Sequence, residues 1–221
     1  MKKTSKALLL GLCALLLVGA SVLGTMAYLT STPDAVVNTF TVGNVKIKLD
    51  ESKLKTDGNL NTANRVQGNE YHLLPGGNYK KDPTITVDEH SEDCYLFVKV
   101  ENNISDLTID AAQDGHTTIA TQMADLGWEA VPNVENVYVL YDNTSDPAVR
   151  KIVHKKESYH VFDDFTIKGT VTNEQLSALQ KEENKDTLVN KITVTAYAIQ
   201  SSGLDAKADA DLWTLVNSNN N

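Results

Sequence analysis

Cysteine is scarce in this chain of 221 residues, which contains only two. Cys13 lies in an apolar leader near the amino terminus, so Cys94 is alone once that leader is removed, and no disulfide can form within the mature chain. Because Cys94 opens the apolar run CYLFVKV, we expect a buried, unreactive thiol rather than a disulfide between chains. Packing or assembly must therefore stabilise the fold in place of disulfides.

The sequence patterns of common enzymes are also missing. The histidines are His72, His90, His116, His154 and His160. None of them belongs to an HExxH pattern, which places two zinc ligands one helical turn apart. No GxSxG surrounds a serine, and there is no phosphate-binding or dinucleotide-binding glycine loop. We therefore predict no catalytic residues and no cofactor.

One polar segment is a candidate for a divalent cation. Asp88, Glu89 and His90 follow a predicted strand and could converge on a hard cation or on zinc. A solvated acidic loop explains the same residues more simply. The two interpretations differ in whether the side chains meet at one point or face the solvent.

Basic residues are outnumbered, with 20 Lys and Arg against 29 Asp and Glu, for a net charge of -9. Removal of residues 1–27 takes away three lysines and no acidic residue, so the mature chain is still more negative. Phosphate backbones would be repelled by such a surface, which argues against nucleic acid as a partner. The charge favours solubility outside the cell.

The first 27 residues have the pattern of an export signal. Three lysines precede the apolar run from Ala7 to Leu23, and Thr25 and Ala27 are small residues at the positions that a signal peptidase reads. We predict a signal helix, cleavage between Ala27 and Tyr28, secretion, and contact with the membrane only through the uncleaved leader. A permanent membrane anchor is the alternative, because the run is near the lower length limit for a span.

The remainder of the chain shows the alternation of apolar and polar residues that is typical of half-buried strands. Val45, Ile47 and Leu49 alternate with lysines, and the phase reverses at Gly43 and Asn44, which predicts a bend or bulge. Further strands are predicted at 84–87, 94–101, 137–141, 158–162, 165–168 and 191–200. Turn residues separate these runs, so we predict an all-β fold, an antiparallel β-sandwich of jelly-roll type.

The domain boundaries follow from this pattern. The sandwich is predicted to cover 44–216, preceded by an amino-terminal segment at 28–43 that could act as a donor strand, and followed by a disordered tail at 217–221. Short helices are predicted within 105–126, after Thr172 with its capping partner Gln175, and within 205–216. The polar residues 52–70 are predicted to be a mobile loop.

Four stretches resemble one family of exported proteins. They are the junction at 24–28, the run NTFTVGN at 38–44, LLPGGNYKKDPTITV at 73–87, and AYAIQSSGLDAKADADLW at 196–213. The chain is similar in these stretches to the TasA and camelysin family of Gram-positive bacteria, whose leaders are cleaved by a signal peptidase of the SipW type. The resemblance implies an extracellular matrix or cell-surface protein.

The resemblance also implies how such a protein acts. Members of the TasA type form biofilm fibres by exchanging an amino-terminal strand, which here would contain Val36, Val37, Phe40 and Val42. The expected partners are further copies of the chain or related matrix proteins. Camelysin-like members imply a secreted metallopeptidase instead. A monomeric surface module that binds a glycan or a protein, with Trp128 and Trp213 as a platform, is the third possibility.

Overall fold

The computed structural model describes residues 39–42, 44–145, 147–179 and 191–218. The regular structure in these ranges consists mostly of strands in antiparallel sheets, so the all-β class is confirmed. The predicted signal peptide, its cleavage site at Ala27 and Tyr28, and the predicted assembly residues Val36 and Val37 lie outside the described residues. None of the helices in the described ranges combines the length and hydrophobicity needed to cross a membrane.

Twelve strands and three helices make up the regular structure of the described ranges. In chain order the strands are β1 (Thr39–Val42), β2 (Ile47–Leu54), β3 (Leu60–Val66), β4 (Asn78–Lys80), β5 (Thr84–Val87), β6 (Cys94–Asn102), β7 (Trp128–Ala130), β8 (Val137–Asp142), β9 (Val149–Arg150), β10 (Ser158–His160), β11 (Asp164–Thr166) and β12 (Ile192–Gln200). The helices are α1 (Ile119–Asp125), α2 (Asn173–Leu179) and α3 (Asp209–Ser218).

Two larger sheets organise these strands. The first has the order β1-β12-β6-β8-β7, with β9 paired to β8 beside this path, and the second has the order β10-β5-β2-β3. The strands β4 and β11 form a separate pair. The strands β1 and β2 belong to different sheets, so the reversal of phase at Gly43 and Asn44 falls where the chain passes from one sheet to the other.

The main core contains residues from both larger sheets. Leu49 and Ile85 come from the second sheet, while Leu96, Val98 and Ala196 come from the first, and all five are buried in one cluster. The other face of the first sheet is covered by α3, which buries Leu212 and Val216 in a second cluster. Since β6 is buried on both faces, its sequence is a continuous apolar run instead of an alternating one.

The predicted helices are present with altered bounds. Thr118 caps α1 by accepting a hydrogen bond from the backbone N–H of Thr121 at 3.1 Å. The capping box before α2 is confirmed, because Thr172 and Gln175 each donate a backbone N–H to the other's side chain. Helix α3 runs two residues into the predicted tail at 217–221, and the rest of that tail lies outside the described residues.

One prediction is wrong. Residues 52–70 are not a loop, because β2 extends to Leu54 and pairs with β3. Ion pairs rather than apolar burial hold β3 in place, chiefly through Arg65, so its sequence lacks the hydrophobic pattern of a strand. The pairs between the other strands are antiparallel, and β1 alone among the described strands runs parallel to its partner, β12. A long stretch of chain separates β1 from β12, so no tight turn forces them to be antiparallel.

Candidate functional site

The predicted assembly strand is the outermost strand of the first sheet among the described residues. The register of β1 on β12 pairs Thr39 with Ala196, Phe40 with Tyr197, Thr41 with Ala198 and Val42 with Ile199. The predicted assembly residues Phe40 and Val42 therefore lie in a strand that pairs with the chain's own sheet.

The strand β12 is paired unequally on its two sides. All nine of its residues pair with β6, from Ile192 opposite Asn102 to Gln200 opposite Cys94. On the other side, the described part of β1 pairs with four of them. At a net contribution of about 1 kcal/mol for each interstrand hydrogen bond, detaching these four residues would cost roughly 3 to 4 kcal/mol in pairing.

The residues of β12 opposite β1 belong to both hydrophobic clusters. Ala196 and Ala198 are fully buried in the main core, while Tyr197 and Ile199 are buried in the second cluster. If β1 left, a row of backbone N–H and C=O groups would lose its partners at a point where two cores meet. Such an edge can bind another strand, because its backbone N–H and C=O groups are already aligned for main-chain hydrogen bonds.

Helix α3 supports β12 from the outer face and lies next to both β12 and β1. The ring of Trp213 packs edge-on against Tyr197 at a centroid distance of 4.8 Å. At the start of the helix, Asp209 accepts a hydrogen bond from the hydroxyl of Tyr141 at 2.9 Å and forms an ion pair with Arg150 at 2.8 Å. These contacts fix the helix on the sheet, so β12 is held rigidly on its inner edge and its outer face.

The segment that leads into α3 is attached to the same sheet. The hydroxyl of Tyr95 donates to Asp205 at 2.6 Å, and the guanidinium of Arg150 lies 4.6 Å from the centre of the Tyr95 ring. The pKa of Tyr95 is raised to about 12, mainly by burial of the phenol and to a smaller extent by its hydrogen bond to Asp205. The phenol therefore stays protonated at physiological pH and keeps its role as a donor.

The candidate metal residues lie in an exposed turn between β5 and β6. The backbone N–H of His90 donates to Asp88 at 2.9 Å, and this bond is the main reason that the pKa of Asp88 is lowered. Glu89 forms an ion pair with Lys156 at 3.1 Å, and His90 is 73% exposed. Across the described ranges, no three His, Cys, Asp or Glu side chains are placed to hold a metal ion.

A polar cleft of about 520 Å³ opens between the end of β6, the segment that follows it, and α1. Its polar lining residues include Glu101, Asn102, Asn103, Asp110, Thr117, Thr118, Glu135, Asn136 and Tyr138. They come from several separate segments, so no local motif could have predicted the cleft. Trp128, by contrast, is 1% exposed and donates its indole N–H to the carbonyl of His160, so it cannot form part of a surface platform.

No family model, no curated protein and no solved structure matches this chain. The TasA and camelysin family therefore stays a prediction from the four quoted stretches.

Proposed function

We propose that this protein is an exported structural subunit of the extracellular matrix or cell surface of a Gram-positive bacterium. After a SipW-type peptidase removes residues 1–27, the amino-terminal strand of one copy pairs with β12 of the next copy, as the resemblance to TasA-type fibre subunits implies. In this proposal the two larger sheets form a β-sandwich of jelly-roll type, and β12 is the acceptor strand of that sandwich.

The position of β1 carries the proposal. Among the described residues, β1 is the outermost strand of the first sheet, and it pairs with β12, whose other side is fully paired with β6. When the same strand of a second copy takes its place, the pairs lost within one chain are regained between chains, so the exchange is close to neutral in pairing energy. The equilibrium between pairing within one chain and pairing between chains then depends on protein concentration and on the freedom of the amino terminus.

The geometry of this contact leads to a filament. Each subunit gives its strand to one neighbour and receives a strand from another, so the two contact surfaces differ. Such a head-to-tail interface continues indefinitely unless the rotation between subunits closes a ring. The uncleaved leader would hold the strand at the membrane and delay assembly until export is complete.

Truncation tests this function. The chain starting at Tyr28 should form filaments in electron micrographs, whereas a chain starting at Asn44 should form none, because it has an acceptor edge and no donor. A synthetic peptide of residues 28–43 should bind the truncated chain and raise its unfolding temperature. Equal polymerisation of the two chains would remove strand exchange from the account.

Proline substitution provides the finer comparison. Phe40→Pro combined with Thr41→Pro removes two successive backbone N–H groups from β1, and one of these faces β12 because the N–H groups of successive strand residues point to opposite sides. Thr41→Val keeps the backbone donor and the β-branched shape. We expect filaments from the valine variant and few or none from the proline variant. Filaments of normal yield from both would contradict the proposed contact.

The polar cleft favours a second function, that of a monomeric surface module. Its lining of amides, hydroxyls and carboxylates, including Glu101 and Glu135, suits an uncharged glycan better than an anionic ligand. Saturable binding of a neutral oligosaccharide by the mature monomer, lost in Asn136→Ala, would support this function. Filaments without any glycan binding would favour the structural one.

A further inference from the structure

Three side chains from separate segments meet at one carboxylate, that of Glu51. Glu51 lies on β2, Asn69 follows β3, and Lys81 lies between β4 and β5. One oxygen of Glu51, Oε2, accepts from Nζ of Lys81 at 2.6 Å, and the other, Oε1, accepts from Nδ2 of Asn69 at 2.9 Å. The side chains of Glu51 and Lys81 are only 3% and 12% exposed. A single buried carboxylate thus holds an amine and a carboxamide side by side.

The carboxamide of Asn69 is oriented by the surrounding backbone. Its oxygen accepts the N–H of Leu54 at 2.7 Å, while Nδ2 donates to the carbonyl of Ser52 at 2.8 Å as well as to Glu51. These partners assign the oxygen and nitrogen without ambiguity, because one side offers a donor and the other offers acceptors. A donor at the carbonyl oxygen is also what stabilises the negative charge that develops there when a nucleophile adds to the carbon.

We propose that Lys81 and Asn69 join in an isopeptide bond, with Glu51 as the proton carrier. Glu51 accepts a proton from the ammonium of Lys81, and the free amine attacks Cγ of Asn69. The N–H of Leu54 stabilises the oxyanion of the tetrahedral intermediate. Glu51 then delivers protons to Nδ2, and the bond between Cγ and Nδ2 breaks as the new bond between Cγ and Nζ becomes an amide.

The reaction balances without any other reagent. The Lys81 ammonium and the Asn69 carboxamide give a secondary amide and an ammonium ion, so both protons that leave Nζ depart on the released nitrogen. Nothing is oxidised or reduced. Glu51 ends in its starting state, with one oxygen still next to each nitrogen position.

The nucleophile and the proton carrier of this reaction are already in contact. The side chains of Lys81 and Glu51 are largely shielded from solvent, being only 12% and 3% exposed. The hydrogen bonds therefore bring the nucleophile and the carboxamide to the two oxygens of one carboxylate, with an N–H donor already at the carboxamide oxygen.

The bond would give this chain a covalent link that its cysteines cannot provide. It would close the loop from residue 69 to residue 81 and so restrict the unfolded chain, as any cross-link does. The inference is independent of strand exchange, since none of its three residues lies on β1 or β12.

Mass spectrometry of the folded mature chain tests the proposal. The intact mass should be lower than calculated by one ammonia, about 17 Da. After trypsin digestion, the peptide 66–80 should be recovered joined to the peptide 81–99, because the modified Lys81 is no longer a cleavage site. Loss of ammonia without joined peptides, as succinimide formation at Asn69 would give, would overturn the proposal, and so would the full calculated mass.

Matched variants assign the roles of the residues. Lys81→Arg keeps the positive charge but offers no attacking amine, and Glu51→Gln keeps a similar shape without a proton carrier. Both should have their full calculated masses, with circular dichroism verifying that each is folded. The joined peptides in a folded Lys81→Arg variant would overturn the assignment. If Glu51→Gln gave the joined peptides at the wild-type rate, the assignment of Glu51 as proton carrier would be overturned.

Discussion

Replacing Arg65 with methionine tests whether charge pairing holds β3 on the sheet. The guanidinium donates through Nε to Asp50 at 2.7 Å and through Nη1 to Asp82 at 3.1 Å. It also donates to the hydroxyl of Ser52 at 2.9 Å, and Ser52 in turn donates its hydroxyl and its backbone N–H to Asp82. The side chains of Asp50 and Asp82 are 8% and 7% exposed, so Arg65→Met would leave two buried carboxylates without this cation.

The expected loss of stability is large. Removing one partner of a buried ion pair costs about 3 to 5 kcal/mol. We take the lower end, about 3 kcal/mol, because Arg65 is itself 25% exposed and Lys48 still contacts Asp50 at 2.7 Å. With a urea dependence of about 2 kcal/mol per molar, the midpoint of unfolding should fall by roughly 1.5 M.

Urea unfolding followed by tryptophan fluorescence measures this change. Lys53→Met, at an exposed residue of the same hairpin, removes an equal charge and should change the free energy of unfolding by less than about 0.5 kcal/mol. In Arg65→Met with Asp82→Asn, part of the loss should return, because one uncompensated charge is gone. A midpoint for Arg65→Met no lower than that of the Lys53 control would refute the reasoning.

Three further predictions concern single side chains. Burial raises the pKa of the Cys94 thiol to about 12, so a thiol reagent should label the chain only after denaturation, and rapid labelling of the native protein would contradict this. Asp93 lies 2.9 Å from Nδ1 of His154 and raises the pKa of His154 above 6.5, so the NMR titration midpoint of His154 should drop in Asp93→Asn. The stabilisation that this contact gives is present below pH 6.5 and is lost as the pH rises through the folded-state pKa. Trp128→Phe removes the hydrogen bond to the carbonyl of His160 and leaves a gap, so the free energy of unfolding measured with urea should fall by about 2 kcal/mol. An unchanged midpoint of unfolding would show that the bond is unimportant.

Much of the fold could be predicted from local sequence. The predicted bounds of the strands at 84–87, 94–101 and 191–200 agree with the structure to within a residue. Their apolar residues are buried in the main core, so the order of apolar and polar residues in the sequence follows the pattern of burial. The capping box at Thr172 was equally readable, since its partners are three residues apart. These elements depend on residues close in sequence, or only on whether each face of a strand is buried or exposed.

The rest depends on contacts between distant residues. The strand β3 is held by Arg65 and its carboxylate partners, which are polar residues that a hydrophobic pattern does not register. The parallel pairing of β1 with β12 joins opposite ends of the chain. The cluster of Glu51, Asn69 and Lys81 likewise forms only when three segments pack together, so composition and spacing gave no signal for it.

A disulfide trap at the outer edge of β12 tests the central claim, exchange of the amino-terminal strand, most directly. Val42 and Ile199 are register partners, and neighbouring strands lie about 4.8 Å apart, within the range that a disulfide spans. The mature chain with Val42→Cys and Ile199→Cys would be assembled under reducing conditions, oxidised, and separated without reductant. Strand exchange predicts a ladder of covalently linked chains from the assembled sample and single cross-linked chains from a dilute one. Filaments that release only internally cross-linked single chains would contradict it.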